Sequence, residues 1–300
     1  MNNPNMPKYT VGIDLGTTHC VLSYADLANF EQEDFSQQVM PIPQLTAPGT
    51  VEDKLQLPSF VYQSHKAELA KGAAALPWTS KPKHLVGEIA RNLGSKTPIR
   101  LVYSAKSWLC HSGVDCKAPI LPAEAPEEVE RISPFQATVA YLEHLKSAWL
   151  YRHPDAPLEQ QDVVITVPAS FDPAARELTV EAAKVIGLGH AILLEEPQAA
   201  FYSWIEKNHK TWRKQVHVGD IILVIDIGGG TTDLSLIAVT DHDGNLELTR
   251  VAIGDHILLG GDNMDLALAY TVKTKLETED KSLQPWQFQA LTHSCRDAKE

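Results

Sequence analysis

The stretch VIDIGGGTTDLSL, Val224 to Leu236, closes an apolar run on an aspartate, turns through three glycines and two threonines, and becomes apolar again after a second aspartate. Such a turn suits an anion. Glycines permit close backbone approach, unpaired amides in a tight turn form an anion-binding concavity, and Thr hydroxyls add donors. The residues after the glycines exclude two familiar phosphate motifs. A P-loop needs a Lys-Ser/Thr pair and a helix at this point, and a dinucleotide fingerprint also opens a helix. Here LSLIAV reads as a strand.

The same pattern occurs near the N-terminus. VGIDLGTTHCVLSYA, Val11 to Ala25, aligns with LVIDIGGGTTDLSLIA, Leu223 to Ala238, as apolar strand, Asp, apolar residue, glycine turn, Thr-Thr and apolar strand. Asp14 and Asp226 are equivalent. An internal repeat of a strand-turn-strand unit predicts two lobes, each presenting a phosphate-facing hairpin to a ligand held between them. Asp14, Asp226 and Asp233, with Glu196 just before Pro197, place acids around that ligand. Uncompensated, they would repel a nucleotide. A hard cation resolves the conflict, and Mg²⁺, held through a few carboxylates plus substrate phosphates, is the one expected with a nucleoside triphosphate.

Composition limits the alternatives. A chain of 300 residues exceeds the usual size of one core and is expected to divide. With 44% hydrophobic and 21% charged residues it reads as soluble and globular. A formal net charge of −12 and the lack of a Lys/Arg stripe oppose binding to a nucleic-acid backbone. The N-terminus, MNNPNMPKYT, lacks the features of a secretory signal, and no apolar run approaches membrane-spanning length. A cytoplasmic protein with no membrane partner is expected. Cys20, Cys110, Cys116 and Cys295 match no zinc spacing and are read as reduced thiols.

Along the chain, Tyr9 to Leu27 reads as a hairpin, Asn29 to Thr50 as an irregular insertion carrying Pro41, Pro43 and Pro48, and LPSFVY, Leu57 to Tyr62, as a strand. Lys66 to Arg131 mixes short polar helical pieces with prolines and reads as an appended subdomain. Ser133 and Pro134 open an amphipathic helix through Trp149. DVVITV leads to a helix capped by Asp172 and closed by Gly187, AILLEEP to another strand, and QAAFYSWIEKN to another helix. Alternating strands and helices imply an α/β fold with buried sheets. After IILVIDIGGG, a hairpin turns at DHDGN, and helices are expected over Asp262 to Glu277 and Pro285 to Glu300.

Taken together, IDLGTT (Ile13 to Thr18), VITVPASFDPAAR (Val164 to Arg176), EEPQAA (Glu195 to Ala200), DIGGGTTD (Asp226 to Asp233) and GDHILLGGDNMD (Gly254 to Asp265) resemble, in order and spacing, the nucleotide-binding domain of the seventy-kilodalton heat-shock chaperones. The resemblance implies an α/β, actin-like ATPase fold whose two ribonuclease-H-like lobes clamp ATP or ADP with Mg²⁺. It divides the chain into a first lobe over 1–215, with core 1–42 and 131–215 and an appended subdomain at about 43–130, and a second over 216–300, with core 216–259 and an outer part from 260. It further implies that Gly16, Thr17 and Thr18 form the first phosphate turn, that Gly228, Gly229, Gly230 and Thr231 form the second, and that Asp14 and Asp226 hold hydrated magnesium. Lys106, in YSAKSWL, resembles the lysine that reaches the transferred phosphate. Glu196 resembles the acid that orients the attacking water, assisted by Asp233 and Thr231. Pro168 and Arg176 match the relay of nucleotide state to the surface, Gly260 and Gly261 a glycine pair on the adenosine side, and Lys299 an adenine-contacting lysine.

Departures mark an atypical, bacterial-type member: Glu195 for the usual Asn, Gln198 for Thr, Thr232 for Phe, and His19-Cys20 for Asn-Ser. The family's third nucleotide motif and its peptide-binding domain are absent, so the chain reads as truncated, with co-chaperones and client peptides expected to act through the missing C-terminal region. The expected activity is Mg-dependent hydrolysis of ATP to ADP and phosphate, switching partner or client binding. The alternatives are a small-molecule kinase of the same superfamily and a nucleotide-dependent regulatory module that does not hydrolyse.

Overall fold

The computed structural model describes residues 6–29, 36–65, 67–111, 113–123, 125–208, 211–243, 245–254, 257 and 259–299. Gly244 of the DHDGN turn, Asp255, His256 and Leu258 of the GDHILLGGDNMD segment, and the terminal Glu300 lie outside the described residues. Strands β1 (Tyr9–Leu15) and β2 (His19–Asp26) form the first hairpin. Alternate residues Val11, Ile13 and Leu15 are buried, as a pleated strand over a core requires.

The stretch expected to be an irregular insertion is partly ordered. β3 (Gln38–Val39) extends the first sheet, and β4 (Ile42–Ala47) forms an antiparallel pair with β5 (Thr50–Lys54). Pro43 lies in a two-stranded ribbon, in which both strands are edge strands, the setting where proline is found in sheets. LPSFVY is not one strand. β6 (Leu57–Pro58) pairs with β2, while β7 (Val61–Tyr62) lies between β8 (Leu85–Val86) and β9 (Leu101–Val102) in a separate small sheet. Helices α1 (Glu88–Gly94) and α2 (Ala105–Leu109) lie in the same stretch, so the short helical pieces expected there are present, interleaved with two-residue strands.

Helix α3 (Pro134–Arg152) starts where its signals place it. The Ser133 hydroxyl accepts from the Gln136 amide at 3.0 Å, and the Gln136 side chain accepts from the Ser133 amide at 2.9 Å, a reciprocal cap. Its Trp149 is fully buried against Tyr9 and Tyr24, with the indole N–H donating to the Ala156 carbonyl at 2.7 Å. Strand β10 (Asp162–Val167) runs parallel to β1, and α4 (Pro173–Val185) is capped by the Asp172 carboxylate. Gly187, at φ 86°, ends α4: its amide and that of Leu188 return to the carbonyls of Lys184 and Ala183, a left-handed stop that favours glycine. β11 (Ile192–Glu195) adds a further parallel strand, giving the order β11-β10-β1-β2-β3, and leads into α5 (Glu196–Lys207) and the short α6 (Trp212–Gln215).

A second sheet, β12 (Ile221–Ile227), β13 (Thr232–His242) and β14 (Asn245–Ile253), is antiparallel throughout and is followed by α7 (Gly261–Thr278) and α8 (Pro285–Lys299). Among the described residues, one of its faces is covered. Phe201 and Trp204 of α5 pack with Ile222, Val224 and Ile237, whereas Ile221, Leu223, Ile225 and Ile227 face outward and are more than half exposed. The continuous apolar run predicts a sheet buried on both sides, and the described residues bury one. The architecture is mixed α/β with several sheets.

His144 of α3 is buried and shares a 3.0 Å hydrogen bond with the Pro43 carbonyl of β4. Burial pulls its imidazole down to about 4. The unfolded chain therefore binds this proton before the fold does, and the stability present above the ordinary histidine value near pH ~6.5 drains away as pH falls toward about 4. Thermal melts from pH 7 to pH 4 are expected to show a shallower decline in His144→Gln, which keeps an N–H donor without an ionisable ring; equal slopes would remove His144 from the acid response.

Candidate functional site

The two repeats close in the same register. Leu15 pairs with Cys20 and Ile227 with Thr232, so the turns comprise Gly16 to His19 in one hairpin and Gly228 to Thr231 in the other. One pair further from each turn, Asp14 sits opposite Val21 and Asp226 opposite Asp233.

Each turn is held by contacts that the local sequence does not announce. Ser59, nearly inaccessible, donates from its hydroxyl to the Gly16 carbonyl at 2.7 Å and from its amide to the Thr18 carbonyl at 2.8 Å. Tyr141 of α3 in turn donates to the Ser59 carbonyl at 2.8 Å. The second turn rests on the start of α7, where the amides of Gly261 and Asp262 donate to the carbonyls of Gly228 and Gly229 at 3.0 and 2.7 Å. The Thr232 hydroxyl donates to the Leu259 carbonyl at 2.8 Å, so the residue that departs from the family pattern also anchors this turn.

The turns meet each other. A Cβ on Gly229 would lie 2.1 Å from Thr18 Cγ2, and one on Gly230 would lie 2.5 Å from Ser107 Oγ and 2.9 Å from Thr17 Cγ2. Only glycine lets the second turn approach the first this closely. A groove of about 660 Å³, bordered by Ser104, Ser107, Gly230, Asp262 and Arg296, opens beside the contact and is of small-molecule size.

Charged groups gather at the same place. Lys106 Nζ lies 2.6 Å from Glu196 Oε1, with both side chains mostly buried. Burial alone would lower the Lys106 pKa, but the charges of Glu196 and Asp14 outweigh it and leave the lysine above its ordinary value. Burial pushes the Glu196 carboxyl up against the opposing pull of Lys106, and Asp14 and Asp226 push it further. Burial also raises Asp226, opposed by Lys106 and reinforced by Asp233 and Asp14. Acid charge therefore exceeds what Lys106 neutralises. Asp14, at an exposed strand end, accepts from the Thr166 hydroxyl at 2.7 Å, and Asp233, buried, accepts from Thr231 at 3.0 Å.

Among the described residues no group of three or more His, Cys, Asp or Glu side chains could hold a metal. Two carboxylates such as Asp14 and Asp226 suit a hydrated hard cation only when phosphate oxygens share it, and the excess acid charge around them fits such a cation.

Other expected site residues lie at the margins. Gly260 packs on the second turn, where a Cβ would come within 2.5 and 2.6 Å of the Gly228 and Gly229 carbonyl oxygens. Lys299 is engaged by Asp265 at 2.7 Å and by the Gly261 carbonyl at 3.1 Å, next to the glycine pair. Arg176 donates to the Phe171 and Ala169 carbonyls in the loop that follows Pro168, and to Glu195 at 2.8 Å, one residue before Glu196. No cysteine forms a disulfide, and no described helix is long and apolar enough to cross a membrane.

The family model described as Hsp70 protein matches residues 10–300. A Chaperone protein HscA homolog of Haemophilus influenzae (strain 86-028NP) is 29% identical over 285 residues, covering 94% of this chain and 40% of that protein. The homolog of the same name from Acinetobacter baylyi is 27% identical over 300 residues, covering 99% of this chain and 42% of its own length. The chain thus spans about two-fifths of the length of the curated relatives it matches. With its paired aspartate-glycine hairpins and a family match over nearly all its residues, the chain belongs to the Hsp70 protein family.

Proposed function

We propose that the chain is the nucleotide-binding domain of an Hsp70-type chaperone, which holds Mg-ATP in the groove beside its two glycine turns and hydrolyses the terminal phosphate. The observation that carries this reading is the convergence of two matched hairpins on one buried Lys106–Glu196 pair, with Asp14 and Asp226 beside it. In this reading the two sheets belong to the two lobes of an actin-like fold, divided near residue 215. A cytoplasmic location belongs to the same reading.

Asp14 and Asp226 would hold hydrated Mg²⁺, which would supply charge neutralisation between the acids and the phosphates. The chain's own groups do the rest by positioning and charge. Backbone amides of Gly16 to Thr18 and Gly228 to Thr231, with the Thr hydroxyls, face phosphate oxygens, and Lys106 carries positive charge toward the transferred terminal phosphate. Glu196, accepting from Lys106, is placed to accept a hydrogen bond from water and hold it in line. Asp233 keeps Thr231 oriented within the second turn. Pro168 and Arg176, joined through the loop at Ala169 and Phe171, carry changes at β11 to the molecular surface.

The test is phosphate release from Mg-ATP with no added acceptor. Slow release, abolished by chelating the metal, is the expected result. Turnover that needs an added sugar or carboxylic acid would establish the kinase alternative instead, and ATP binding with no release would establish the non-hydrolysing module.

A further inference from the structure

Glu195 ends β11 and stands directly before Glu196, and its side chain is 13% exposed. Two guanidinium groups converge on it from different parts of the fold. Arg176 of α4 donates from Nη2 to Oε1 at 2.8 Å, and Arg250 of β14 pairs with Oε2. Arg176 is itself fixed by two carbonyls of the loop before α4. Arg250 belongs to the second sheet, paired with Ile237 next to the irregularity where the β13–β14 register shifts. The Arg250 pair therefore ties the second sheet to the last residue of the strand that leads into Glu196.

A mostly buried carboxylate is stable only when its charge is compensated: Arg176 holds Oε1 by a charge-assisted hydrogen bond, and Arg250 meets Oε2 as an ion pair, the one charge partner, among the described residues, of an atom that no hydrogen bond satisfies. Consecutive Cα atoms are about 3.8 Å apart, so a shift at Glu195 passes directly to Glu196 and to its 2.6 Å bond with Lys106. The uncharged Asn that usually occupies this position in the resembling family has no charge to offer Arg250. We propose that Glu195 and Arg250 are positioning residues, whose ion pair between the sheets fixes the Glu196 carboxylate relative to the second glycine turn. The inference rests on the hydrolytic reading of Glu196.

The experiment is single-turnover ATP hydrolysis in Arg250→Ala, Arg250→Lys, Glu195→Gln and the double variant Glu195→Gln with Arg250→Ala, with ATP affinity measured separately. Arg250→Ala and Glu195→Gln are each expected to lose roughly tenfold in rate, because small misplacements of a catalytic group are costly. ATP affinity should stay within about twofold of the parent, as expected where only transition-state stabilisation is lost. Arg250→Lys keeps the charge and should lose less than Arg250→Ala, which also separates loss of the pair from loss of the fold. The double variant should be no slower than the slower single, since the two residues act as one unit. Unchanged rates, or losses that multiply in the double variant, would overturn the proposal. If the parent binds ATP without hydrolysing it, the functional reading fails on its own, and the pair is then judged by hydrogen exchange in the nucleotide-free protein. Faster exchange of the Glu195 and Glu196 amides in Arg250→Ala supports a positioning pair, and unchanged exchange overturns it.

Discussion

Replacing Glu196 by Gln is expected to slow single-turnover ATP hydrolysis by roughly 100- to 1000-fold while leaving ATP affinity within about threefold. The reason is local. Gln keeps the shape and can still accept from Lys106, but it removes the negative charge that lies 2.6 Å from that lysine and that, in the proposed mechanism, orients water. The pH profile adds an independent signature. Burial, helped by Asp14 and Asp226, holds the Glu196 carboxyl above its ordinary range in spite of Lys106. The ionised form is therefore lost, as pH falls, earlier than for an exposed glutamate, and the acid limb of the rate should sit above the usual carboxylate region. In Glu196→Gln that limb should disappear. A rate within threefold of the parent, or an ATP affinity that falls in step with the rate, removes Glu196 from the chemistry.

Gly260→Ala is expected to weaken nucleotide binding by roughly five- to a hundredfold, since overpacking costs about 1–3 kcal/mol and each ~1.4 kcal/mol is a decade of affinity. The added Cβ would meet backbone, the carbonyl oxygens of Gly228 and Gly229 at 2.5 and 2.6 Å, and neither can swing aside as a flexible side chain could. The turn must move, and with it the bonds from the Gly261 and Asp262 amides that seat it on α7. Titration with a fluorescent ATP analogue reads the loss, and an unchanged circular dichroism spectrum shows that the fold survives. Parent-like affinity in a folded Gly260→Ala would mean that the second turn does not touch the ligand.

Much of the fold around this site is legible in the order of residues. The helices flanked by Ser133 and Asp172 begin at those residues because an N-cap satisfies its own local amides and needs nothing distant. Gly187 ends its helix for an equally local reason. Short strands are harder to read. LPSFVY divides between two sheets, and Ile42–Ala47 becomes a strand despite Pro43, because a two- or six-residue strand is defined by the partner that accepts its hydrogen bonds. Likewise nothing around Ser59 in LPSFVY marks it as the clamp of the first turn, a role that depends on Gly16 and Thr18 arriving from far along the chain.

The sequence by itself determined the two aspartate-glycine hairpins, their equivalence, and the exclusion of a P-loop, because a turn and the strand after it are specified by contiguous residues. Only the tertiary structure decided that the second turn presses on the first with no room for a Cβ at Gly229, that Glu196 meets Lys106, and that Glu195 is gripped by Arg176 and Arg250. Those contacts join residues from separate strands, helices and sheets. Charge pairing and close approach across such distances depend on how the elements pack, and no local spacing encodes them.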